Sequence, residues 1–394
     1  MIVFAQLRNA LRRVKLRRHV KATQKAEPVR VLGFYERSEA PIGRALVIYS
    51  PESLQRFREQ GNYRFFNPDG AMVEICKALN ECGCTVDAIG IRDTEFPLAH
   101  DYDILVAHAG PAYCHFGELI SPTCKVLDYS TGCHWRAFDA QSAERYARFG
   151  SRQIGAKSQV VARPLVIEHE DYAAKRGDLI VCLGPETART FEPFGKRVFH
   201  VNNAAITKTP AALPPITESV KRSFLYCGGS GNVQKGLDLL VEAFAQEPDL
   251  HLHIDSPIED ELLAAYQKEL RARNIHYVEW MRKLPGGAAR IPRRCAFTIY
   301  AGFNSGQSTA LIGSLGDGLI PVVTREANLG LGPLEVSIHS PSVTDIRAAI
   351  RRASQLPISE LETCRASVLA AFQSRFSPQA YRAGFKTAIS SLQA

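Results

Sequence analysis

Residues 223–236 read SFLYCGGSGNVQKG: a short apolar run, a glycine-rich loop and a lysine, followed by the leucine-rich run LDLLVEAFAQ. The run 223–227 has the length and side chains of a buried strand, and a helix over 236–246 is expected after it. Glycines in such a loop free backbone N–H groups to approach an anion, the helix start adds positive partial charge, and Lys235 adds a full one. Gly229, Ser230, Gly231 and Lys235 are therefore candidate anion ligands, with phosphate or diphosphate the natural guest. Neither familiar phosphate loop fits, because Lys235 lies between Gln234 and Gly236 and no third glycine stands at 234. A tight turn with no ligand is the plainer alternative.

Outward from this loop, strands are expected at 250–254, 275–280, 296–300, 319–323 and 336–339. Helices are expected at 259–273, 308–316, 344–355 and 358–373. A second loop, AGFNSGQST (301–309), follows one of these strands and opens a helix. Its Ser305, Gly306, Gln307, Ser308 and Thr309 form a second candidate anion site, with Ser308 also a plain N-cap. Upstream, residues 206–220 are proline-rich and aperiodic and read as a linker. Before it, strands at 29–34, 45–50, 85–91, 103–107, 125–129, 178–183 and 197–201, with a helix at 71–82, predict a parallel, helix-covered sheet. The fold class is thus α/β, with two Rossmann-like domains facing across a cleft. The first spans 28–205 and the second 221–375, and a helix over 376–392 is expected to pack back on the first.

The 394 residues carry a net charge of +8. Residues 1–27 hold eight basic side chains against Glu27 alone, a net +7, so the remainder is nearly neutral. That excludes a domain built to neutralise many phosphates, and no nucleic-acid partner is expected. The leader is a basic amphipathic helix pattern, suited to an anionic membrane surface, without the apolar core of an export signal. Ten cysteines without a C-x-x-C pair point to reduced core thiols in a cytoplasmic protein; neither a metal nor a cofactor is expected.

FLYCGGSGNVQKGLDLLVEAFAQEPDLHLHI and YAGFNSGQSTALIGSLGDGLIPVVT together resemble the nucleotide-binding half of glycosyltransferase family 4, over roughly 220–325. The resemblance implies a GT-B fold and transfer of a sugar, with retention, from a nucleotide diphosphate donor to a glycan or lipid-linked acceptor. It places the donor in the second domain and the acceptor mainly in the first. It also assigns His134, in STGCHW after the strand 125–129, to the reacting sugar as the catalytic candidate, with a hydrogen-bonded structural histidine the plainer alternative. From the residues alone, Asp128, His108 and His115 are weaker candidates, and Trp280 could stack on a base, although a core tryptophan is the better reading. Ser305 and Gly313 stand where the family carries two glutamates, and Gly229 where it often has a basic residue. Two other readings stay open: a non-catalytic nucleotide-sugar-binding or scaffold protein of the same fold, and an NAD-type oxidoreductase using Gly229-Ser230-Gly231 and Asp255.

Overall fold

Continuous apolar runs become central strands. In the computed structural model, which describes residues 27–63, 69–152, 167–207, 213–277, 294–303 and 306–393, Ala45–Ile48 and Ile180–Leu183 are fully buried. The first domain comprises β1 (Arg30–Phe34), β2 (Gly43–Tyr49), α1 (Pro51–Gln60), α2 (Asp69–Glu81), β3 (Cys84–Gly90), β4 (Ile104–Ala107), α3 (Pro111–Leu119), β5 (Lys125–Ser130), α4 (Trp135–Arg152), α5 (Ile167–Arg176), β6 (Leu179–Leu183), α6 (Pro185–Arg189) and β7 (Arg197–Val201). Its sheet order is β1-β3-β2-β4-β5-β6-β7.

One strand departs from the expected parallel sheet. β1 runs antiparallel on the edge beside β3. The connection 35–42 is too short for the crossover that a parallel edge would need. A bulge between Val31 and Phe34 bends the strand, with Gly33 at φ +63° and its amide donating to Asp87 Oδ1 at 2.8 Å. Arg30 then ties the edge down with two bonds to Asp93, at 2.6 and 2.8 Å.

The second domain contains α7 (Glu218–Lys221), β8 (Ser223–Tyr226), α8 (Leu237–Ala245), β9 (His251–Ile254), α9 (Asp260–Ala265), β10 (Ile275–Tyr277), β11 (Phe297–Tyr300), α10 (Thr309–Gly316), β12 (Ile320–Thr324), β13 (Val336–Ile338), α11 (Val343–Gln355) and α12 (Ile358–Arg375). Its sheet is wholly parallel, in the order β10-β9-β8-β11-β12-β13. The helix expected over 259–273 is shorter: α9 stops at Ala265, and the buried Tyr266 donates its hydroxyl to Glu242 on α8.

Two helices cross between the domains. α13 (Pro378–Gln393) buries Tyr381, Phe385, Ala388 and Ile389 in the core of the first domain, and Tyr381 bonds the Tyr129 hydroxyl at 2.8 Å. α4 starts beside β5, yet its Tyr146 and Phe149 lie in the core of the second domain with Phe224, Phe244 and Tyr266. Assigning 28–205 to one unit does not anticipate that crossing.

Candidate functional site

In the second sheet the chain runs outward from β8 to β10 and then returns to β11, so the strand order reverses between β8 and β11. At such a switch point the loops leaving neighbouring strands splay apart, and ligands of open α/β sheets bind there. The glycine-rich loop leaves β8 and the start of α10 follows β11, so both candidate anion sites share this edge. Phe303 N donates to Gln234 O at 3.1 Å, and a Cβ on Gly236 would lie 2.3 Å from Ala301 O. Gly236, at φ +80°, is thus required both by the backbone and by the approach of the next loop.

Lys235 is half-buried and donates from Nζ to Gly228 O. Burial lowers its pKa, with the Glu259 carboxylate pulling the other way. Gly229 and Gly231 take φ +68° and +80°, and Ser230 is exposed at the tip. The amides are less free than the sequence reading expected. Gly231 N donates to Glu259 Oε1 at 2.6 Å and Asn232 N to Oε2 at 3.3 Å. The Gly229 carbonyl accepts from Ser256 Oγ at 2.9 Å and Asn232 Nδ2 at 3.0 Å. An internal carboxylate holds the cradle expected to hold phosphate.

The second loop is likewise engaged by protein groups. Gln307 is buried and serves the domain junction: its Oε1 accepts from Asn203 N at 2.6 Å, and its Nε2 donates to Asn202 Oδ1 and Asn328 O at 3.0 and 2.6 Å. Thr309 Oγ1 accepts from Asn203 Nδ2 at 3.0 Å. Ser308 is the N-cap of α10, its Oγ accepting from Leu311 N at 3.4 Å. Gly306 has φ +99°, and a Cβ there would lie 2.4 Å from the Thr131 carbonyl oxygen of the first domain. At the start of α10, Ser308 and Thr309 are half-buried and Ala310 is exposed. Ser305 lies outside the described residues, as do Trp280 and residues 1–26 of the leader.

His134 is only 2 % exposed and packs against Trp135, Phe191 and Phe194, with ring centroids 5.8, 5.7 and 4.8 Å away. Its Nε2 lies 3.1 Å from Asp171 Oδ1 without the geometry of a hydrogen bond. Burial lowers its pKa. The ring is enclosed by aromatic side chains, which fits the plainer reading of His134 as a packed structural residue. Asp128 is buried, its carboxyl pushed up to about 8 by desolvation. His108 Nδ1 lies 2.8 Å from Tyr129 O, and His115 packs edge-on to Phe116. Asp255 caps β9 with its amide on Tyr226 O at 2.9 Å.

The residues missed from sequence are those that join loops. Glu259 follows the strand next to β8, and that position is the only signal it carried. Asn328, at φ +64°, donates to Leu183 O and accepts from Glu186 N across the domain junction. Asp238, fully buried, pairs with Arg145 and Arg152 of α4. Beside that pair lies a pocket of about 280 Å³, bordered by Glu144, Arg145, Arg148, Phe303 and Glu326. Among the described residues no cluster of His, Cys, Asp or Glu is arranged to hold a metal, and no helix is long and apolar enough to cross a membrane.

Neither a family model nor a curated protein matches this sequence. Solved structures do. Sucrose-phosphate synthase from Thermosynechococcus elongatus aligns with TM-score 0.60 and 11% identity, over 89% of this chain and 99% of that one. A UDP-forming α,α-trehalose-phosphate synthase from Burkholderia xenovorans aligns with TM-score 0.57 and 10% identity, over 89% and 99%. Anabaena HepE, solved with UDP and glucose, aligns with TM-score 0.54 and 12% identity, over 89% and 100%. With TarM of S. aureus the TM-score is 0.51 at 10% identity, over 74% of this chain, which spans 55% of TarM's length. The two Rossmann-like domains of this chain have the GT-B arrangement.

Proposed function

We propose that the chain is a glycosyltransferase that moves a sugar from a nucleotide diphosphate donor to a glycan or lipid-linked acceptor with retention. The observation that carries this reading is the junction of the two loops at the switch point between β8 and β11, where Phe303 N, on the loop that leads into α10, donates to Gln234 O, next to Lys235. In the reaction the bond from the sugar's anomeric carbon to the phosphate oxygen breaks, the acceptor oxygen takes its place, and the acceptor proton leaves with the diphosphate. Lys235 and the first-turn amides of α10 offset the charge that grows on the leaving group. The likeness to HepE, whose structure holds UDP and glucose, supports a nucleotide-sugar donor.

Calorimetry with UDP, GDP, ADP and NAD tests the reading. Binding of one nucleoside diphosphate, weakened by about 1.5–3 kcal/mol in Lys235→Ala, is expected. Preferential NAD binding would instead favour an oxidoreductase. A second reading, a non-catalytic binding protein of the same fold, is favoured by the buried His134; nucleotide binding without turnover of any sugar conjugate would establish it. The proposal includes a place on the inner face of a membrane, supported by the +7 charge of residues 1–27. Equal cosedimentation with anionic vesicles after removal of those residues would refute that part.

A further inference from the structure

Glu259 immediately precedes α9, with extended backbone (φ −69°, ψ 144°) and a half-buried side chain. Each of its carboxylate oxygens takes one amide of the glycine-rich loop, as two oxygens of a phosphate would. Its backbone is held separately. Glu259 N donates to Asn232 Oδ1 at 2.8 Å, and Asn232 Nδ2 donates to Gly229 O and Pro257 O at 3.0 and 3.2 Å. These bonds keep the two loops in register whether or not the carboxylate is in place, so the side chain can swing out while the cradle keeps its shape.

We propose that Glu259 is a tethered counter-anion of the glycine-rich loop, displaced by the donor's diphosphate, and that it determines which anions the loop admits. The proposal rests on the glycosyltransferase reading above. A tethered carboxylate competes at a high local concentration. A ligand with one charge exchanges one anion for another and gains little. A diphosphate brings more charge and more oxygens, and also engages Lys235, so it outcompetes the carboxylate. If Glu259 leaves the amides free about a tenth of the time, its loss tightens apparent affinity about tenfold.

The test compares the full wild-type chain with Glu259→Gln, titrated with UDP, inorganic pyrophosphate and inorganic phosphate. Expected are about tenfold tighter UDP and pyrophosphate binding in Glu259→Gln, and phosphate binding in that variant alone. Equal or weaker UDP binding by the variant, with the wild type binding UDP, overturns the role of Glu259 and leaves the transferase reading standing. If neither chain binds pyrophosphate or any nucleoside diphosphate, both fall. Should Glu259→Gln fail to fold, amide NMR of the wild type decides the matter. UDP must shift Gly231 and Asn232, and unmoved amides in a saturated sample overturn the proposal.

Discussion

At the scale of single residues, chemistry and packing compete for the same side-chain types, as His134 illustrates. Its ring is enclosed by Phe191, Phe194 and Trp135, and its amide donates to Thr190 Oγ1 at 3.0 Å. Truncation removes a packed ring and leaves a cavity. His134→Ala is expected to lower stability by about 2–4 kcal/mol while leaving nucleotide affinity unchanged at temperatures where the variant is folded. Urea unfolding followed by calorimetry checks both halves. Undiminished stability with lost sugar transfer would restore His134 to the reacting centre. A sequence shows that a histidine follows a strand; it does not show the aromatic side chains brought in from residues 191 and 194. Glu259 was illegible for the same reason, since its amide partners lie 27 and 28 residues away.

At the scale of elements, apolar periodicity located the strands of both sheets because a helix-covered strand must be apolar on both faces. It did not show what an edge carries. His251 and His253 on β9 meet His276 on β10, with His253 and His276 stacked at 4.6 Å and His251 Nδ1 3.2 Å from His276 Nε2. Burial, then the neighbouring histidines and Arg294, depress His253 from 6.5 to about 4, and His276 is lowered in the same way. The sign follows from proton uptake. Between pH 6.5 and 4 the unfolded chain binds a proton at His253 that the folded chain does not, so stability is lost as pH falls through this window. His134 adds in the same direction. Melting temperature is expected to drop from pH 7 to 4.5, and less steeply in His253→Gln. Parallel curves for the two chains would show that the histidine stack is not responsible.

At the scale of the molecule, periodicity revealed two units but not how they are joined, because the joining groups are polar and far apart in sequence. α4 reaches across and places Arg145 and Arg152 on Asp238, and Arg152 also bonds Glu242 at 3.0 Å. Arg145 is 4% exposed and Asp238 is fully buried. Burial raises the Asp238 carboxyl, and both guanidiniums pull it back toward ionisation. A buried pair of this kind adds modest net stability, yet removing one partner strands the other without water or counter-charge. Asp238→Ala strands the buried Arg145, while Arg152 keeps Glu242. It is expected to cost about 3–5 kcal/mol, whereas removing Arg152 alone costs less because Asp238 keeps Arg145. The location of the loss separates a domain clamp from an ordinary core defect. Tyr146 and Phe149 anchor α4 in the second domain, so hydrogen exchange in Asp238→Ala should rise first along α4 and the start of α8, with β2 and β6 still protected. Uniform loss of protection across both sheets would mean that the two domains unfold as one body and that this ion pair does not set their coupling.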